Sequence, residues 1–356
     1  MNTTAWRRLE AMPQAFGGPA GEAVMRARTE DFQVDEILGF EPAGSGQHVF
    51  LQVRKRDTNT LWLAKQIAQF AGANQKDLGY AGLKDRHGVT SQWFSVDMAG
   101  RPEPDWRGLE SDQVEVLRVA RNPRKLRIGA LQGNRFRLRI RRLRADPRML
   151  EQRLRQLRDS GMPNYFGEQR FGHAYANLAQ AQTLFERRLG RVDRKLRGLL
   201  ISAARSQLFN EVLAARIEQA SWDRPITGDY FSLDGSRAGF ATEQLDDNLV
   251  ERCRSMDIHP SGPLWGRGRP PVSGETLLLE QTLLEPYAIM RNGLEHVGLQ
   301  QERRALRVRI GDLHWELSGP DELSIDFSLP AGSYATVLLR ELLFVESAQA
   351  PTRDSG

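Results

Sequence analysis

The clearest period in the chain is two. Phe136-Arg137-Leu138-Arg139-Ile140-Arg141 alternates apolar and basic side chains. Such spacing puts Phe136, Leu138 and Ile140 on one face of a strand and the arginines on the other. Residues 49–54, 93–96, 306–310 and 323–327 predict further strands. Helical spacing covers 59–71, with Thr58 as the expected N-cap and Gly72 as the stop. Asp146-Pro147 opens a second helix, running to about 160, with proline at its first position. Residues 178–189, 195–220 and 338–344 are helical in pattern. Residues 163–167 predict a turn, the Pro- and Gly-rich stretch 260–274 a long loop, and 346–356 a disordered tail. Strands and helices mix without a βαβ rhythm, so the expected class is α+β.

Composition narrows the function. A chain of 356 residues suggests about two domains. No apolar run approaches the roughly 18 residues needed to cross a bilayer, and the N-terminus lacks the apolar core of a signal peptide. The expectation is a cytoplasmic protein with no membrane attachment. A single cysteine, Cys253, excludes an intrachain disulfide and a cysteine-rich metal site; it reads as a structural or surface thiol. The histidines are scattered singly, and GxGxxG, GxxxxGK[ST], GxSxG and HExxH are all absent. No metal or nucleotide cofactor is expected, which leaves the chemistry to carboxylates and a basic surface. The net charge of +5 is modest, but residues 121–144 hold ten Lys or Arg and no acid. That block favours phosphate contact by Arg137 and Arg139 over a merely solvated basic face, because sequence-independent affinity for nucleic acid comes largely from such side chains.

The most informative segment is Gly79-Tyr80-Ala81-Gly82-Leu83-Lys84-Asp85-Arg86-His87-Gly88-Val89-Thr90-Ser91-Gln92. Its one carboxylate, Asp85, stands between Lys84 and Arg86. Neighbouring cations favour the charged form of a carboxylate, and an anion held in a cationic loop suits action on a polyanionic substrate. Taken alone, the same residues also describe a charged surface turn.

The segment from Ala81 to Trp93 resembles the catalytic loop of the TruD family of tRNA pseudouridine synthases. Five others resemble the family in the same order: Glu30 to Glu36, Gly129 to Phe136, Pro163 to Gly172, Ser202 to Ser206, and Leu329 to Thr336. The resemblance spans roughly residues 25–345. It implies isomerisation of uridine to pseudouridine, usually at position 13 of tRNA, without cofactor or metal. Asp85 is implied as the catalytic residue, and Phe32, Asn134, Phe136 and Tyr334 as substrate contacts. Lys84, Arg86, His87 and Arg26 become possible supports for the carboxylate or contacts to phosphate; the Arg26 position commonly carries lysine in the family. Many relatives carry phenylalanine at the place of Tyr334, so an extra hydrogen bond is open to the tyrosine. The implied architecture is a discontinuous catalytic domain, 1–159 and 309–356, with a mixed, largely antiparallel sheet. An α/β TRUD domain at 160–308 is inserted in it. A monomer acting on tRNA is expected.

The chemistry suits these residue types. Breaking the N1–C1′ bond gives an oxocarbenium-like transition state, as in glycoside hydrolysis. A carboxylate can stabilise that cation, attack C1′, or take a proton from C2′ or C5. The base must leave its stack, and aromatic stacking offsets part of that cost. Read without the family, Phe32 and Phe136 suit a core better than a base platform, and Asn134 suits a turn after Gly133. A rival class is an RNA-binding or RNA-chaperone protein that keeps the scaffold without turnover. A third possibility is a synthase acting mainly on RNA other than tRNA.

Overall fold

The computed structural model describes residues 6–187, 192–242 and 244–348. The chain divides into two compact units. The first elements in chain order are β1 (Gly21–Met25), β2 (Phe32–Leu38), β3 (His48–Arg56), α1 (Thr60–Phe70), β4 (Leu78–Tyr80), β5 (Val89–Asp97), β6 (Val114–Asn122) and β7 (Leu131–Ala145). Next come α2 (Pro147–Ser160), β8 (Met162–Pro163), α3 (Ala176–Glu186), α4 (Arg194–Glu218), β9 (Tyr230–Leu233), β10 (Gly239–Ala241), α5 (Asp247–Arg254) and β11 (Ile258–Leu264). The last are α6 (Gly274–Leu284), α7 (Ala288–His296), β12 (Glu302–Ala305), β13 (Arg307–Val308), β14 (Gly311–Leu317), β15 (Glu322–Pro330), α8 (Ala335–Leu342) and β16 (Phe344–Ser347).

The sheet unit comprises 21–146, 311–332 and the segment from 344 on. Its main path runs β14-β15-β7-β2-β5-β3-β6, with β1, β16 and β4 attached at the sides. Two pairings are parallel, β1 with β16 and β2 with β5; the others are antiparallel. The fold is therefore α+β with a mixed, largely antiparallel sheet. Alternation explains the core. Val49, Leu51 and Val53 of β3 point to one side with Phe94 and Val96 of β5, and α1 lays Leu63, Ala64, Ile67 and Ala68 against them. Asn59, not Thr58, caps α1: its side chain accepts from Leu61 N at 2.7 Å. Thr58 instead turns its hydroxyl to the Arg56 carbonyl, 2.6 Å away.

The helical unit comprises the N-terminal segment to Ala20, then 147–310 and 333–343. The expected TRUD insertion, 160–308, lies inside its central segment. Leu200, Ala204, Leu208 and Val212 recur every four residues along α4 and build its core with α3, α6 and α7. A buried Arg216–Asp229 pair, doubly bonded at 2.8 and 3.0 Å, ties α4 to the turn after it. Cys253 is buried, and its thiol is pushed up to about 12 by that burial.

Some expectations are corrected. Residues 260–264 are strand, not loop: β11 pairs β9 through Ile258–Pro260 and β12 through Ser261–Leu264. Each half is paired on one side only, which tolerates prolines lacking an N–H. Residues 306–310 shrink to the short β13, paired with β8. Helix α8 starts at Ala335, and Phe344 already belongs to a strand. Glu346 and Ser347, expected in the tail, pair with Val24 and Met25; residues 349–356 lie outside the described ones.

Glu341 of α8 carries a testable consequence. Its carboxyl is fully buried, accepts from Ala15 N at 2.8 Å, and is pushed up to about 7, chiefly by burial. Folded protein thus keeps a proton that unfolded chain, at its usual 4.5, has lost. Stability falls as pH rises through that window, by roughly 3 kcal/mol at most. Denaturant midpoints at about pH 5 and about pH 8 should show this slope in the wild type and a flatter one in Glu341→Gln.

Candidate active site

The Asp85 loop joins β4 to β5, and side chains hold its backbone at four residues. Gln92 Nε2 donates to Gly82 O (3.2 Å), and Lys84 N donates to Thr60 Oγ1 (3.1 Å). Lys55 Nζ donates to the Asp85 carbonyl (2.7 Å), and Gly88 N donates to Asp57 Oδ1 (3.2 Å). Gly88 has φ +139°, and a side chain there would meet Phe32 O at 2.6 Å, so the loop can close only with glycine.

On this scaffold the Asp85 carboxylate is 53% exposed, with Arg26 Nη2 3.4 Å from Oδ2. Arg26 directly follows β1 with φ 58°, a strained conformation for a residue with a side chain. Its guanidinium lies over the Phe32 ring, 3.9 Å from the centroid. The face expected to take a base is therefore covered by arginine, and Phe32 is 4% exposed. A base stacking on that face must displace Arg26.

Lys84, although adjacent to Asp85, points elsewhere. Its ammonium stands 3.0 Å from Glu36 Oε2 and donates to Asn134 Oδ1 at 2.8 Å. Glu36 is buried, and that burial pushes its carboxyl up against the pull of Lys84. Glu36 and Asn134 face each other in the β2–β7 register. Arg86 is exposed and His87 half-buried. Phe136 stacks on Phe327 with centroids 5.1 Å apart, which makes it a core residue.

Tyr334 belongs to the helical unit, at the N-terminus of α8. Its ring meets Phe166 edge-on, and its hydroxyl accepts from Arg170 Nε at 3.1 Å, the extra bond that tyrosine allows. A side chain at Gly167 would stand 2.8 Å from the ring. Arg304 stacks on Phe166 at 4.1 Å, and burial lowers its guanidinium to about 10.

The arginine strand is less simply placed. Register and alternation put Phe32, Val34, Glu36, Asn134 and Phe136 on one face of the sheet and Asp35, Arg135, Arg137 and Arg139 on the other. Arg137 pairs with Asp35 and Arg139 with Glu322; Arg135 pairs with Asp326, and Arg141 with Asp31 and Glu322. The block without acids in sequence is met by carboxylates of β15, β2 and the turn before β2, and it lies on the face away from Lys84. Exposed pairs of this kind contribute about 0–1 kcal/mol each. Arg137→Ala with Arg139→Ala should leave turnover within about threefold and the salt dependence of RNA affinity unchanged. A flatter salt dependence would return these arginines to the RNA path.

Lys55, Glu36 and Asp57 were not singled out by sequence. Lys55 carried a signal: period two puts it on the same side as Val49, Leu51 and Val53. It is completely buried, donates also to Thr58 O (2.6 Å), and burial lowers its ammonium to about 8. Among the described residues no cluster could hold a metal, and no helix is long and apolar enough to cross a membrane.

Comparison with known proteins identifies the family. A family model described as tRNA pseudouridine synthase D (TruD) matches residues 15–178 and 173–342. A protein of that name from Methylococcus capsulatus is 51% identical, over 94% of this chain and 95% of its own. Another from Nitrosococcus oceani is 49% identical, over 94% of each. A crystal structure titled as a putative tRNA pseudouridine synthase D from Methanosarcina mazei shares the fold, with a TM-score of 0.72 and 20% identity. It covers 93% of this chain and 95% of that one. With a family model running from residue 15 to 342 and relatives half identical along nearly their whole length, this chain belongs to the TruD family.

Proposed function

We propose that this protein isomerises uridine to pseudouridine in tRNA, at position 13, with Asp85 as the single catalytic carboxylate acting on a flipped base. The observation that carries this reading is the contrast within the loop. Side chains hold the backbone around Asp85 at four residues, yet its carboxylate is more than half exposed beside one guanidinium. A purely structural carboxylate would be spent in bonds; this one is held rigidly and left open, as preorganised catalysis requires.

In the proposed reaction the carboxylate faces the C1′ region as the N1–C1′ bond breaks. Positive charge developing on the sugar is met by Asp85. The same placement serves attack at C1′, with the ester to Asp85 broken as C5 displaces it, or removal of a C2′ proton that is returned to C2′ as C5 bonds to C1′. In either case the uracil rotates, the C5–C1′ bond forms, the C5 proton is lost and N1 takes up a proton. Arg26 neutralises the resting carboxylate and leaves Phe32 when the base arrives. Asn134 contacts the base edge, and Tyr334 is assigned as a further substrate contact. The reaction draws on no cofactor. The catalytic domain is assigned to 1–159 and 309–356 and the TRUD domain to 160–308, acting as a cytoplasmic monomer.

The test is positional. Transfer RNA from cells lacking the gene is incubated with the purified protein, and pseudouridine is mapped by carbodiimide-dependent reverse-transcription stops. A new stop at position 13 is expected. New stops only elsewhere would move the target, and none in any tRNA would overturn the enzymatic reading.

A further inference from the structure

We infer that the buried Glu36–Lys84 pair fixes the Asn134 amide with its NH2 group outward, making Asn134 a donor-only reader of the O4 carbonyl of the target uracil. This rests on the proposed function. A lysine ammonium has only donors, so the 2.8 Å contact from Lys84 must be to the amide oxygen of Asn134; the usual ambiguity between amide N and O does not arise. Lys84 cannot turn away, because its second contact is to Glu36, whose side chain is fully buried. Glu36 is fixed in turn by the backbone N–H of Trp93 at 3.4 Å. Among the described residues the Asn134 NH2 group has no acceptor, and Asn134 is half-buried on the sheet face that the Asp85 loop covers.

Uracil and cytosine differ at position 4, an acceptor oxygen in one and a donor amine in the other. A fixed NH2 group donates to the first and opposes the second, whereas an amide free to flip would take either. Lys84 and Glu36 are positioning residues here, because they act through Asn134. The arrangement couples base choice to catalysis, since Lys84 precedes Asp85 on the same anchored loop.

The experiment uses synthetic tRNA carrying uridine or 4-thiouridine at the target position, with single-turnover rates measured for each. Sulfur is a weak acceptor, so the wild type should favour uridine by about tenfold. Asn134→Ala and Lys84→Met should bring that ratio to within about twofold of one, even where both rates fall. Lys84→Met leaves Glu36 buried without its cation, so Glu36→Gln with Lys84→Met serves as the folded control, with the same expected ratio. A merely structural role would slow both substrates alike and keep the wild-type ratio. An unchanged ratio in these variants, or no preference in the wild type, overturns the inference. Failure of the wild type to convert uridine itself would instead be a failure of the proposed function.

Discussion

Asp85→Asn should lower single-turnover pseudouridine formation by at least about a thousandfold while tRNA affinity stays within about threefold. Asparagine keeps the shape of the side chain and removes the charge, which every version of the mechanism requires. The protein should fold normally. The Asp85 carboxylate is more than half exposed, and the change removes one ion pair, to Arg26 at 3.4 Å, whose mostly buried guanidinium keeps its contact with the Phe32 ring. Loss of such an exposed ion pair costs about 0–1 kcal/mol. The loop itself is held by the Asp85 carbonyl and by its neighbours, none of which is altered. Rate, affinity and thermal stability measured together check the expectation; a large loss of affinity would make Asp85 a binding residue instead.

Lys55→Met should lower the single-turnover rate by about a hundredfold at saturating tRNA, with affinity little changed. Lys55 clamps two carbonyls, Thr58 O at 2.6 Å and Asp85 O at 2.7 Å. Methionine fills the same buried space without a donor. The freed carbonyls must find other partners, and the Asp85 backbone moves to do so. A displacement near 1 Å at a catalytic group can cost about a hundredfold in rate. Burial lowers the Lys55 ammonium to about 8, but a neutral amine still has two hydrogens for two carbonyls. The clamp therefore survives loss of the proton, and no collapse of rate through pH 8 is expected from this residue. A wild-type rate in Lys55→Met would show that the other three loop anchors suffice.

What the sequence reveals divides along physical lines. The β7 strand was legible because alternation is local, and so was the Asp85 loop, whose motif is contiguous. The partners of the arginines were not. Asp35 and Glu322 lie far from Arg137 and Arg139 in the chain and reach them only through sheet register. Lys84 and Asp85 are neighbours in sequence, yet one turns to Glu36 and Asn134 and the other to Arg26. Adjacency suggested a shared role that side-chain direction separates. The resemblance implied Phe32 as a substrate contact; that Arg26 lies on it follows from a left-handed residue after β1, which no residue-type preference announces. Strand β11 was missed because Pro260 and Pro263 argue for a loop, and only one-sided pairing makes room for them.

The most direct test of the central claim is tritium release from tRNA carrying 5-tritiated uridine, because forming the C5–C1′ bond must expel the C5 hydrogen. The wild type should release tritium equivalent to about one uridine per substrate tRNA, and Asp85→Asn should release none while still binding that tRNA. No release by the wild type, or equal release by Asp85→Asn, would contradict the account.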